Sequence, residues 1–208
     1  MAMRANLVAR MPAMARRCGA PLALALLLAG CVSLGGGDKP PPSLLRLTPS
    51  HSVAAGAGLS GALTDAVVVL DPETDRSLAA VKVAVQVDDS NIAYMSDVQW
   101  VERPAHLFAG LLAETVRAGG KHIVFTADDA VTTSGSRLSG HLLDFGYDAR
   151  DQSAVVRFEA VWTTTAGAVT TKRFEAKVPG VGPKGEQVGP ALNKAANMVA
   201  EQVADWLN

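Results

Sequence analysis

A chain of 208 residues, 49% hydrophobic and with a formal charge of −1, has the length of one folded domain and enough apolar material for its core. Basic and acidic residues nearly balance, at 19 and 20, so the cation excess that marks a nucleic-acid-binding surface is missing. Only 5% of the residues are aromatic, which leaves alanine, valine and leucine to build most of the interior.

The first 17 residues hold Arg4, Arg10, Arg16 and Arg17 and no acid, and Gly19 to Gly30 is apolar or small throughout. A positive segment followed by a short apolar core is the pattern of a secretory signal. The run is too short to span a bilayer as a helix, which takes about 20 apolar residues. At its end, Leu28-Ala29-Gly30-Cys31 resembles the bacterial lipobox. That resemblance implies cleavage before Cys31, a diacylglycerol on its thiol and an acyl chain on the new amino terminus. No other cofactor and no metal is expected. Cysteine usage agrees, because the other cysteine, Cys18, falls in the discarded segment and the mature chain has no partner for a disulfide. Several acyl chains on one residue anchor firmly, at about 0.8 kcal/mol per buried methylene, where one chain is marginal. Val32 stands where enterobacterial lipoproteins retained at the inner membrane carry aspartate, which favours the outer membrane, facing the periplasm. Removing the four arginines takes the formal charge from −1 to −5.

Gly35-Gly36-Gly37 and Pro40-Pro41-Pro42 read as a tether, flexible and then stiff, so residues 1–30 are signal, 31–43 tether and 44–208 the folded domain. Leu44 to Leu47 is a short strand candidate and residues 50–64 a loop rich in serine, glycine and alanine. Ala66 to Leu70 is a continuous apolar strand ended by Asp71-Pro72. Leu78 to Val87 alternates, with Val81, Val83, Val85 and Val87 expected on one face. A helix then opens at Pro104, where a missing N–H costs nothing, and stops at Gly119-Gly120. Its stripe is Leu107, Phe108, Leu111, Leu112, Thr115 and Val116, with His106 and Glu114 expected towards solvent. Ile123 to Phe125 is a short strand, and 137–147, 154–164 and 169–178 form an antiparallel meander with charged outer faces. A second helix runs from about Pro190, burying Leu192, Ala195, Ala196, Val199, Val203, Trp206 and Leu207. The order predicts an α+β domain, a largely antiparallel sheet with two main helices packed on one face.

Motifs for chemistry are sparse. His51, His106, His122 and His141 have no metal-ligand spacing. Ser134-Gly135-Ser136 lacks the surroundings of a nucleophile elbow. Asp88-Asp89 and Asp128-Asp129 read as turn caps. Gly180-Val181-Gly182-Pro183-Lys184-Gly185 fits GxGxxG, but no strand with an acid follows it, so it reads as a loop. No catalytic residues are assigned, and the protein is not expected to be an enzyme. The stretch with most character is Ile92 to Pro104, where Trp100 is expected beneath the helix and exposed aromatics would mark a binding patch.

In this stretch the chain resembles the ABC-type transport auxiliary lipoproteins, the PqiC-like family. The resemblance rests on the lipobox at Cys31, the strand "LLRLTP", the strand "VKVAVQV", and "YMSDVQWVERPAHLFAGLL" with Tyr94, Trp100, Glu102 and Pro104. Leu44 and Leu45 stand where members of the family often have tyrosine. The resemblance implies a non-catalytic partner of an MCE-domain protein and an ABC permease and ATPase that move lipid across the periplasm. It implies Tyr94, Trp100, Glu102 and Pro104 as a partner-binding or structural motif, and self-association into a homo-oligomer. Two alternatives belong to other classes: a structural envelope lipoprotein, and a lipid carrier whose cavity would be lined by residues such as Leu143, Phe145 and Trp162. A periplasmic hydrolase would need a cluster of polar residues in a cleft, which the sequence does not offer.

Overall fold

The computed structural model describes residues 43–129 and 135–208, so the signal, Cys31, the tether up to residue 42 and Ser134 lie outside it. Nine strands and two long helices follow one another as β1 (Ser43–Leu45), β2 (Ala66–Val69), β3 (Glu73–Thr74), β4 (Lys82–Gln86), β5 (Ile92–Trp100), α1 (Pro104–Ala118), β6 (Ile123–Thr126), β7 (Ser136–Asp148), β8 (Ser153–Thr163), β9 (Val169–Pro179) and α2 (Gly185–Leu207). The fold is α+β, as expected, but the sheet formed by the described strands is mixed and not largely antiparallel, because the short strands β1, β2, β3, β4 and β6 join it through parallel pairings.

Strand β7 organises that sheet. One of its edges pairs antiparallel with β8, which pairs antiparallel with β9, giving the expected meander. The other edge takes three short parallel strands end to end. β2 lies at its start (Val68 beside Arg137), β3 at its middle (Glu73 beside His141) and β4 at its end (Val85 beside Tyr147). β6 extends the sheet beside β2, while β5 and then β1 extend it beside β4.

Both helices lie on one face. Phe145 and Val156 are register partners on β7 and β8, as are Phe158 and Phe174 on β8 and β9, so all four side chains share that face. Phe108 of α1 packs edge-on between Phe145, at 6.0 Å between ring centres, and Phe158, at 5.3 Å. Trp206 of α2 meets Phe174 at 5.6 Å, and Trp100 closes the cluster against Phe145 at 5.2 Å. Aromatics are few, but they sit at the centre, and valine and alanine fill the rest.

Four details differ from the sequence reading. Residues 92–100, read only as the approach to α1, form the nine-residue strand β5. α2 starts at Gly185, so Pro190 sits inside it. A Cβ at Gly185 would collide with the Val98 side chain and one at Gly189 would lie 2.6 Å from Leu45 Cδ2, so glycine lets this end of α2 settle on β5 and β1. The Gly185 N–H, left open by the helix, donates to Asp97 Oδ2 at 2.9 Å. Val81 and Val87 flank β4 and are exposed, while Val83 is buried. Glu114 is half-buried: it accepts the Val53 N–H at 2.9 Å and pairs with Arg117 at 2.6 Å, which ties the 50–62 loop to α1.

Candidate functional site: the outer face of the sheet

With both helices on one side, the opposite face of β7, β8 and β9 faces water, and its side chains form a ladder of charge. Arg157 on β8 reaches Asp144 on β7 at 2.5 Å and Glu175 on β9 at 2.6 Å, joining three strands. Arg173 on β9 pairs with Glu159 on β8 at 2.7 Å, and Lys177 pairs with Asp151 in the β7–β8 turn. Arg150 in that turn holds Asp148 at 2.6 Å and Asp89 at 2.5 Å. Cross-strand partners of opposite sign stand directly opposite one another, the arrangement that favours this register over a slipped one.

The ladder leads into an open groove of about 370 Å³, lined among others by Asp75, Ile92, Asp144, Arg150 and Arg157. Ion pairing shifts its groups. Hydrogen bonds from Arg150 hold the Asp148 carboxyl below its ordinary value, and Asp148 in turn pushes the Arg150 guanidinium up. The bond to Glu175 raises Arg157, and the bond from Lys177 lowers Asp151. Arg150, Arg157, Arg173 and Lys177 are each matched by a carboxylate. The pairing leaves the face charged but locally neutral, with cations and carboxylates alternating across the strands.

Of the residues singled out in the sequence, Trp100 is fully buried, under α1 and against Phe145. Its indole Nε1 has no hydrogen-bond partner among the described residues. Pro104 is buried at the first position of α1, where its ring needs no donor. Glu102 is exposed and lies 3.6 Å from His106 Nε2. Tyr94 is exposed on β5 and donates its hydroxyl to the Ser77 carbonyl at 3.2 Å. The four therefore split between core and surface. Phe145 belongs to the core, Leu143 lines the groove and Trp162 is half-buried.

His106 Nδ1 lies 3.2 Å from Asp71 Oδ2, and that hydrogen bond raises its pKa above the ordinary histidine value. His141 meets Glu73 at 3.2 Å and His51 meets Glu201 at 3.7 Å, both at the surface. Asp88 accepts from the Ser90 and Asn91 N–H groups, and Asp129 from the Thr126 N–H. Each therefore closes a turn. No group of three or more His, Cys, Asp or Glu among the described residues is placed to hold a metal. In the GxGxxG stretch the Gly182 N–H donates to Gln187 Oε1 at 2.9 Å, and Gly185 is already helical. No described helix is long and apolar enough to cross a membrane.

The three-strand ladder was only half visible in the sequence. Alternation placed Arg157, Glu159, Arg173, Glu175 and Lys177 on outer faces, but which charge meets which depends on the register between strands.

Comparison with known proteins gives the chain its relatives. The family model described as "ABC-type transport auxiliary lipoprotein component" matches residues 47–204. A crystal structure of a Xanthomonas campestris protein of family model DUF330 is similar at a TM-score of 0.67 and 14% identity, over 79% of this chain and 94% of that one. A PelC dodecamer from Paraburkholderia phytofirmans is 21% identical over 71% of this chain and 91% of its own, with a TM-score of 0.40. No curated protein matches.

Proposed function

Because the chain belongs to the family of ABC-type transport auxiliary lipoprotein components, we propose that it is a lipid-anchored, non-catalytic adaptor of an MCE-type lipid transport system. Cys31 is cleaved free, acylated and set in the outer membrane on its periplasmic side, and the Gly/Pro tether holds the domain near that surface. The MCE-domain protein, driven by its permease and ATPase, docks on the domain. The observation that carries this reading is the uncovered outer face, where Asp144, Arg157 and Glu175 form a charge ladder with cations and carboxylates matched. Ion pairs at an interface rim set register and partner choice more than affinity, which is what an adaptor needs.

The test is co-purification from crosslinked envelopes. The protein should bring down an MCE-domain protein or a permease component. Recovery should fall when Arg157 and Arg173 are both changed to glutamate, with the fold retained by circular dichroism. Envelopes that yield no such component under conditions where other envelope complexes are recovered would refute the reading.

A further inference from the structure

The outer face changes character away from the ladder. Register places Leu44 of β1, Gln99 of β5 and Lys82 of β4 in one row across three strands. Alternation puts Arg46 and Val101 on the same side as Leu44 and Gln99, because Leu45 and Trp100 between them turn into the core. The Val101 N–H donates to the Leu45 carbonyl at 2.9 Å, so this pairing continues past the end of β1. Further along β5, Tyr94 stands opposite Ala84 and Ile92 opposite Gln86, both on Lys82's side of β4. The result is one surface carrying Leu44 (54% exposed), Val101 (50%), Ile92 (50%) and Tyr94 (40%), with Arg46 and Lys82 among them.

Neither Arg46 nor Lys82 has a carboxylate at ion-pair distance among the described residues, whereas Arg150, Arg157, Arg173 and Lys177 do. Lys82 Nζ instead lies 5.7 Å from the centre of the Tyr94 ring. Exposed leucine, valine, isoleucine and tyrosine interspersed with unpaired cations match a bilayer interface, where apolar side chains enter the headgroup boundary and cations meet anionic lipid.

Position supplies the occupant. β1 is the first described element, and Ser43 is twelve residues from Cys31. A chain of that length reaches about 40 Å at most, even at full extension. A foot at Cys31 therefore keeps the β1–β5 corner close to the bilayer.

We infer that the outer face of β1, β5 and the start of β4 is a membrane-docking surface, seated on anionic bilayer lipid beside the acylated N-terminus. The inference rests on the acylation of Cys31 proposed above. Docking here orients the domain on the bilayer, with the Ile92 end of the surface bordering the groove of the ladder.

The test uses the lipidated full chain in vesicles of phosphatidylethanolamine and phosphatidylglycerol. Cys31 is blocked by its acyl group and Cys18 leaves with the signal, so a nitroxide attaches only to an introduced cysteine. Labels at Leu44→Cys and Val101→Cys should gain collisions with dissolved oxygen and lose collisions with a water-soluble nickel chelate. A label at Val169→Cys, 61% exposed at the start of β9, should stay water-accessible. Replacing Arg46 and Lys82 by glutamine should cut the docked-to-undocked ratio roughly 30-fold, about tenfold per 1.4 kcal/mol with about 1 kcal/mol for each surface cation. Protein that floats with the vesicles while labels at 44 and 101 behave like the one at 169 would overturn docking and leave the anchor standing. Protection that grows with the protein-to-lipid ratio would assign the surface to contact between copies and overturn the proposal. Protein with a free Cys31 thiol that does not float would overturn anchor and docking together.

Discussion

Gly110 and Gly185 are both helical, and changing each to alanine should move stability in opposite directions. Gly110 lies on the exposed side of α1, and a Cβ there meets nothing within 4 Å. Alanine at such a position gains the helix-propensity difference, about 0.8–1 kcal/mol. Gly185 opens α2 against β5, and its Cβ would overlap Cγ1 and Cγ2 of Val98 and approach Val98 Cβ at 2.9 Å. Valine is stiff about χ1 and cannot swing aside, and Val98 is itself buried in the core. Overpacking of this kind costs about 1–3 kcal/mol, and the propensity gain at the first helical position is too small to cancel it. In a domain of this size each kcal/mol moves Tm by about 2–4 °C. Thermal and urea unfolding of the mature protein should therefore show Gly110→Ala melting a few degrees higher and Gly185→Ala lower. The Gly185→Ala, Val98→Ala double variant should be more stable than the sum of its single changes, because truncating Val98 removes the overlap. A Gly185→Ala protein as stable as the parent would show that α2 does not rest on β5 as described.

Three further outcomes follow from the packing and the ion pairs. Phe108→Ala should cost about 3–5 kcal/mol in urea unfolding, since Phe108 is fully buried between Phe145 and Phe158. His106 should titrate by NMR above the ordinary histidine value of 6.5, and Asp71→Asn should bring it back down. Because the folded pKa is the higher one, the contact's stabilisation is complete below the unfolded pKa and fades as pH rises through the folded one, so Asp71→Asn should matter more in mild acid than in base. Arg157→Ala, despite removing two ion pairs, should change stability by no more than about 1 kcal/mol, because both pairs are solvent-exposed; a larger loss in urea unfolding would mean that the ladder supports the fold itself.

The elements legible in the sequence were those with one clean period. β8 and β9 alternate without interruption and were located within a residue or two, and α1 was bracketed by Pro104 and Gly119. β5 was hidden because its pairing with β4 shifts register between Tyr94 and Gln99. Ile92 and Tyr94 therefore face outwards while Val98 and Trp100 turn in, and no single alternation spans the segment. Pro190 obscured the start of α2, since proline usually marks a first turn, and here close packing at Gly185 and Gly189 carries the helix through it. The parallel partners of β7 were invisible for a different reason. Each is only two to five residues long, and nothing local says which part of a distant strand it will join. The outer-face ladder shares that limit: the charges were readable, their partners were not.

The way β7 collects β2, β3 and β4 along one edge bears on the order in which the protein matures. All three precede it in the chain, so a polypeptide delivered from its N-terminus presents them before their shared neighbour exists. Until residue 148 has emerged, that side of each strand has amide and carbonyl groups with no ladder to join, and β3 has no partner at all. Such unfinished edges invite pairing with other chains. A fragment truncated before β7 should thus aggregate, whereas one that loses only the end of α2 keeps every strand pairing intact.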